Sequence, residues 1–86
     1  MEDLQALRER IDEIDAQILK ALSARVDICR KIGEYKKQQG LPILDKSREQ
    51  EVFSKVKDRA IEFGLKPAQI EELYREIVNM CIEIQK

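Results

Sequence analysis

The chain has 86 residues, enough for one domain over 1–86 and too few for two that each bury a core. Hydrophobic residues make up 43% and charged residues 38%, with three Gly, two Pro and 5% aromatic, which sets aside β-sandwiches and disordered tails in favour of a charged, all-α protein. Sixteen Lys and Arg against seventeen Asp and Glu leave a formal charge of −1, so the chain lacks the global electrostatic footprint of a nucleic-acid or membrane binder, and any anion site is local.

The first predicted element runs from about Asp3 to Gln39 without a Gly or Pro other than Gly33. Its apolar residues recur with a helical period. Read as heptads, Leu4, Ile11, Ile18, Arg25 and Ile32 take the a positions, and Leu7, Ile14, Ala21, Ile28 and Tyr35 take the d positions. Asp3 suits the N-cap, Lys36 and Lys37 suit the negative end of the macrodipole, and Gly40 followed by Pro42 ends the helix. At 1.5 Å per residue it is roughly 50 Å long.

The second helix starts at Asp45, with Ser47 and Gln50 as a competing capping box, and carries Val52, Phe53, Val56, Ala60 and Phe63 on one face up to Gly64. Pro67 opens the third, whose apolar set is Ile70, Leu73, Tyr74, Ile77, Val78, Cys81 and Ile84. One long helix and two shorter ones do not close into a balanced bundle. Part of the long seam faces water unless the short helices follow it end to end or another chain covers it, and the expectation is an intertwined homodimer.

The absence of His removes Ser-His-Asp and Cys-His hydrolysis and the usual His-containing zinc sites. Cys29 and Cys81 are too far apart for a CxxC motif; one disulfide is open to them but cannot be inferred from spacing, and both are expected as reduced thiols. No signal peptide is visible at Met1-Glu2-Asp3 and no apolar run spans a bilayer, so the expected location is cytoplasmic, with neither membrane nor nucleic acid as partner.

Five polar features do not fit an apolar seam. Arg25 sits between Ile18 and Ile32, where an unpaired guanidinium costs several kcal/mol to bury. A partner-helix carboxylate, a side chain reaching the rim and a ligand carboxylate would each answer that cost. Lys36, eleven residues on, has turned three times plus ~20° and lies about 16 Å along the same face, so the two cations can converge on one small molecule. Asp45, Arg48 and Glu49 share a face at the start of the second helix, read alone as an N-cap with a solvated charge pair. Gln85, read alone, is a frayed surface residue. Arg8 lies about 25 Å from Arg25 along the same helix, too far for one small ligand, but in an antiparallel dimer it comes alongside Arg25 of the other chain.

Together these residues closely resemble the all-helical, AroQ-class chorismate mutases, over essentially the whole chain. The matching blocks are LRERIDEID with Arg8, LSARVDICRKIGEYK with Arg25 and Lys36, PILDKSREQEV with Asp45, Arg48 and Glu49, and the final CIEIQ. The resemblance implies a Claisen rearrangement of chorismate to prephenate, on the route to phenylalanine and tyrosine, without cofactor or metal. It also implies roles. Arg25, and Arg8 from the other protomer, clamp the two carboxylates; Lys36 binds a carboxylate and the ether oxygen; Gln85 donates a second hydrogen bond to that oxygen. Glu49 and the backbone at Asp45 hold the ring hydroxyl, Arg48 closes the cationic wall, and Cys81 lines the pocket. Isochorismate-pyruvate lyase of the same fold is the nearest alternative, disfavoured because Glu49 stands where that branch tends to carry an apolar residue. A noncatalytic helical dimerisation or regulatory module is the alternative of a different class.

Overall fold

A computed structural model describes residues 3–86, so the charged Met1-Glu2 start lies outside the described residues. Among the described residues the chain is all-α, with α1 (Leu4–Gln39), α2 (Lys46–Glu62) and α3 (Pro67–Gln85). The Asp3 carboxylate accepts the Ala6 N–H at 2.8 Å, satisfying one of the free donors of the first turn. At the other end Gly40 adopts φ 67°, a conformation that penalises any β-carbon, and the Leu41 N–H returns to the Lys36 carbonyl at 2.8 Å.

Asp45 rather than Ser47 caps α2, its carboxylate accepting the Arg48 N–H at 3.0 Å. After Phe63, Gly64 takes φ 71° and the Leu65 N–H closes on the Ala60 carbonyl at 2.8 Å, so the turn into α3 is made by backbone. Pro67, with no N–H to satisfy, begins α3.

Packing is centred on α3, which contacts both other helices while α1 and α2 do not pack against each other. Against α2 it runs antiparallel. Lys57 pairs with Glu71 at 3.6 Å and the Arg75 guanidinium lies 5.4 Å above the Phe53 ring. Against the C-terminal half of α1 it runs parallel. The small or medium side chains Cys29, Ala60 and Val78 form the buried core, one from each helix. Phe63 and Leu73 depart from the sequence expectation, standing 72% and 55% exposed, because Phe63 falls beyond the last turn of α2 and Leu73 on the outer side of α3.

The molecule measures 57 × 23 × 15 Å, with a radius of gyration of 16.2 Å against about 12 Å for a compact chain of this length. The excess is the N-terminal half of α1, which projects beyond α2 and α3. Leu4, Leu7, Ile11, Ile14 and Ile18 are all at least 45% exposed there, a bare seam along half the helix. Among the described residues no helix is long and apolar enough to cross a membrane.

Candidate active site

Because α1 and α2 both rest on α3 without touching, a cleft remains between them, and it holds a cavity of about 230 Å³. Arg25 and Lys36 enter it from α1, Asp45, Arg48 and Glu49 from the start of α2, and Cys81 and Gln85 from the end of α3. The family resemblance implies one site for these seven residues together with Arg8, and the fold gathers the seven around the cavity from three elements. Arg8 is not among them. It is exposed on the projecting half of α1, about 25 Å of helical rise from Arg25.

Lys36 is the most constrained of the polar groups. Its Nζ donates to the Ile43 carbonyl at 2.6 Å and to Gln85 Oε1 at 2.8 Å. An ammonium has three donors, so one remains for a ligand. Arg25 Nη1 donates to the Ile77 carbonyl at 3.5 Å and lies 3.9 Å from Cys29 Sγ. Neither cation has an ion-pair partner among the described residues, although both are half-buried. Among the described residues no carboxylate answers the cost of desolvating them, and the cavity they line favours an anion.

The α2 wall has the opposite character. Glu49 is half-buried and lines the cavity without a hydrogen-bond partner among the described residues. Its neighbour Arg48 turns outward, its guanidinium 2.6 Å from Glu51 Oε1. That hydrogen bond, helped by the charge of Lys55, holds the Glu51 carboxyl below its ordinary pKa. The Arg48–Glu51 pair is more than half exposed, so it contributes little to stability.

Gln85 is not a frayed surface residue. Its Oε1 accepts from Lys36, and its Nε2 donates to the Cys81 carbonyl at 3.2 Å and lies 3.2 Å from Cys81 Sγ. Sulfur is a weak acceptor, so the second amide proton is available to a better one. Asp45 contributes chiefly as a cap, since its carboxylate is engaged with the Arg48 N–H.

One expectation is corrected. Cys29 and Cys81 are joined as a disulfide, their Cα atoms 5.3 Å apart across 52 residues of chain, instead of standing as two reduced thiols. Parallel packing sets the two small residues opposite each other, within the ~4.4–6.8 Å separation a disulfide needs. Sequence spacing carries no trace of that. Two carbonyls in the site, of Ile43 and Ile77, were equally invisible, since any residue supplies a carbonyl and only the fold aims it. The apolar lining, including Ile32, Val52, Val78 and Ile82, was legible only as helix faces.

Three helices surround one small cavity, with two cations on one wall, a carboxylate on another and an amide between, a lining whose chemistry suits a small anionic ligand. Residues 7–86 match the family chorismate mutase type II, and the chain belongs to that family. It is 37% identical over 89 residues to a bifunctional chorismate mutase/prephenate dehydratase of Aquifex aeolicus (strain VF5), an alignment covering 100% of this chain and 25% of that protein. It is 38% identical over 82 residues to a 4-amino-4-deoxychorismate mutase of Streptomyces pristinaespiralis, covering 95% of this chain and 64% of the other. Among solved structures, a conserved hypothetical protein from Pyrococcus furiosus matches with a TM-score of 0.77 at 37% identity, over 96% of this chain and 95% of that one. The chain thus spans a quarter of the length of the Aquifex relative and under two thirds of the Streptomyces one.

Proposed function

We propose that this protein converts chorismate to prephenate, the branch step toward phenylalanine and tyrosine, in a site completed by a second copy of the chain. The observation that carries the reading is the Lys36–Gln85 pair, held at 2.8 Å beside an Arg25 that has no carboxylate partner among the described residues. The reaction is a [3,3] rearrangement within one molecule. One C–C bond forms as the ether C–O bond breaks, with no nucleophile and no obligatory proton transfer, so a chain without His is equipped for it.

Catalysis then reduces to positioning and charge. Arg25 holds one carboxylate of the dianion and Arg8 of the second protomer the other, folding the substrate into its compact reactive conformer. Lys36 directs its remaining proton to the ether oxygen, where negative charge grows as the bond breaks, and its charge draws in a carboxylate beside it. Gln85 Nε2 donates to the same oxygen, giving up its contact with sulfur. Glu49 accepts from the ring hydroxyl, Asp45 adds its backbone, and Arg48 leaves Glu51 to close the mouth.

The bare apolar seam supports the dimer. Five large aliphatic residues face water on the projecting half of α1, and a second long helix laid antiparallel buries them while bringing Arg8 to the cavity. Incubation with chorismate, with prephenate identified as the product, tests the activity. Pyruvate from isochorismate with no prephenate from chorismate would reassign the protein to the lyase branch. Binding of chorismate without turnover would leave a regulatory module.

The relative named as a 4-amino-4-deoxychorismate mutase raises a second substrate. A 4-ammonium group is a donor that the free Glu49 carboxylate accepts as readily as a hydroxyl. Rates on the two substrates, compared between wild type and Glu49→Gln, separate them.

A further inference from the structure

Three contacts between α1 and α3 in the site keep one offset. Arg25 reaches the carbonyl of Ile77, Cys29 is bonded to Cys81, and Gly33 lies against Gln85, each step four residues along both helices. One ridge of α3 therefore follows one ridge of α1. Gly33 is the last contact in the series and the one that touches the residue paired with Lys36.

Gly33 has no backbone reason to be glycine. The positive-φ glycines are Gly40 and Gly64, whereas Gly33 lies within α1, where alanine is the better helix former. What the missing side chain supplies is space. A β-carbon there would stand 3.0 Å from Gln85 Cα, 3.2 Å from its Cγ and 3.3 Å from its Cβ, inside the ~3.5–4.0 Å of ordinary carbon contact.

We infer that Gly33 is a positioning residue for the proposed rearrangement: its bare Cα lets Gln85 settle against α1 at the depth where the side-chain amide meets Lys36 and faces the cavity. The catalytic consequence rests on the mutase reading; the contact itself does not. Relief of the clash falls on Gln85. α3 cannot slide as a unit, because the Cys29–Cys81 bond ties it to α1 one turn earlier. Lys36 cannot follow a displaced amide without lengthening its 2.6 Å bond to the Ile43 carbonyl. A shift of a few tenths of an ångström along the 2.8 Å Lys36–Gln85 bond takes it toward the ~3.2 Å at which such bonds weaken.

The test is Gly33→Ala in the full-length protein. It is expected to fold, with the helix propensity gained partly offsetting the crowding so that it melts within several degrees of wild type, and to lose roughly tenfold or more in kcat with KM changed by less than about threefold, since the amide acts on the ether oxygen and not on the carboxylates. In a Gln85→Ala background the same substitution is expected to cost almost nothing further. A purely structural glycine predicts instead that the two losses multiply. A readout independent of turnover is the pair of Gln85 side-chain N–H resonances, assigned by their disappearance in Gln85→Ala, which are expected to shift in Gly33→Ala. Unmoved Gln85 resonances, or multiplying losses, overturn the inference. An inactive wild type would refute the mutase reading, while the resonances would still decide the contact.

Discussion

Replacing Lys36 with methionine keeps much of the side-chain volume and removes the charge, so it isolates what the ammonium contributes. The ammonium spends two protons on the Ile43 carbonyl and Gln85 Oε1, leaving one for substrate. A charge-assisted donor aimed at developing negative charge in a water-poor site is worth about 3 kcal/mol, which is roughly 150-fold in rate. Losing the attraction of the ammonium charge for a substrate carboxylate adds to KM. The substitution also strips two half-buried acceptors of their donor, at a cost of about 1–2 kcal/mol of stability, a fall of roughly 5–15 °C in Tm for a chain of this size. Chorismate consumption measured with prephenate formation, beside a dichroism melt that shows the variant folded, separates the two effects. A folded Lys36→Met enzyme within tenfold of wild-type kcat/KM would refute the placement of Lys36 at the ether oxygen.

Gln85→Glu is expected to work only in acid: a carboxylate has no donor for the ether oxygen, and the Lys36 ammonium beside it holds the new carboxyl below the usual ~4.3. Activity therefore rises as pH falls through that lowered value, and a flat kcat/KM profile would remove Gln85 from the oxygen. Arg8→Ala and Arg25→Ala are each expected to be nearly inactive, yet mixed and allowed to exchange subunits they should recover roughly a quarter of wild-type activity, because half the dimers then carry one intact site of two. No recovery, or a monomer in sedimentation at assay concentration, would sink the shared site. Cys81→Ser opens a cross-link that closes 52 residues of chain, for which chain entropy predicts a loss of about 4 kcal/mol; calorimetry showing an unchanged melt, with or without reductant, would remove the disulfide from the stability of the fold.

The three helices were legible in the sequence because their determinants are local. Apolar period, Asp3 and Asp45 as caps, Gly40 and Gly64 as stops and Pro67 as a start all act within a turn or two, and the structure ends its helices at those residues. The pairing of Arg25 with Lys36 was legible for the same reason, since one rigid helix carries both. The site residues on α2 and α3 came from a resemblance of whole blocks and not from any rule of spacing, and the isolated readings of Gln85 and of Arg48 with Glu49 pointed to the surface.

Tertiary structure alone decided what one helix presents to another. The constant offset between α1 and α3 put Cys81 opposite Cys29, overturning the expectation of free thiols, and put Gln85 against Gly33. It also turned two carbonyls, of Ile43 and Ile77, into acceptors for the cations of the site. The same packing left Arg8 outside the cavity, on a bare seam that one chain of 86 residues does not cover. Local chemistry determines where a helix begins and ends; the register between helices arises from packing many side chains at once, and no short stretch of sequence contains it.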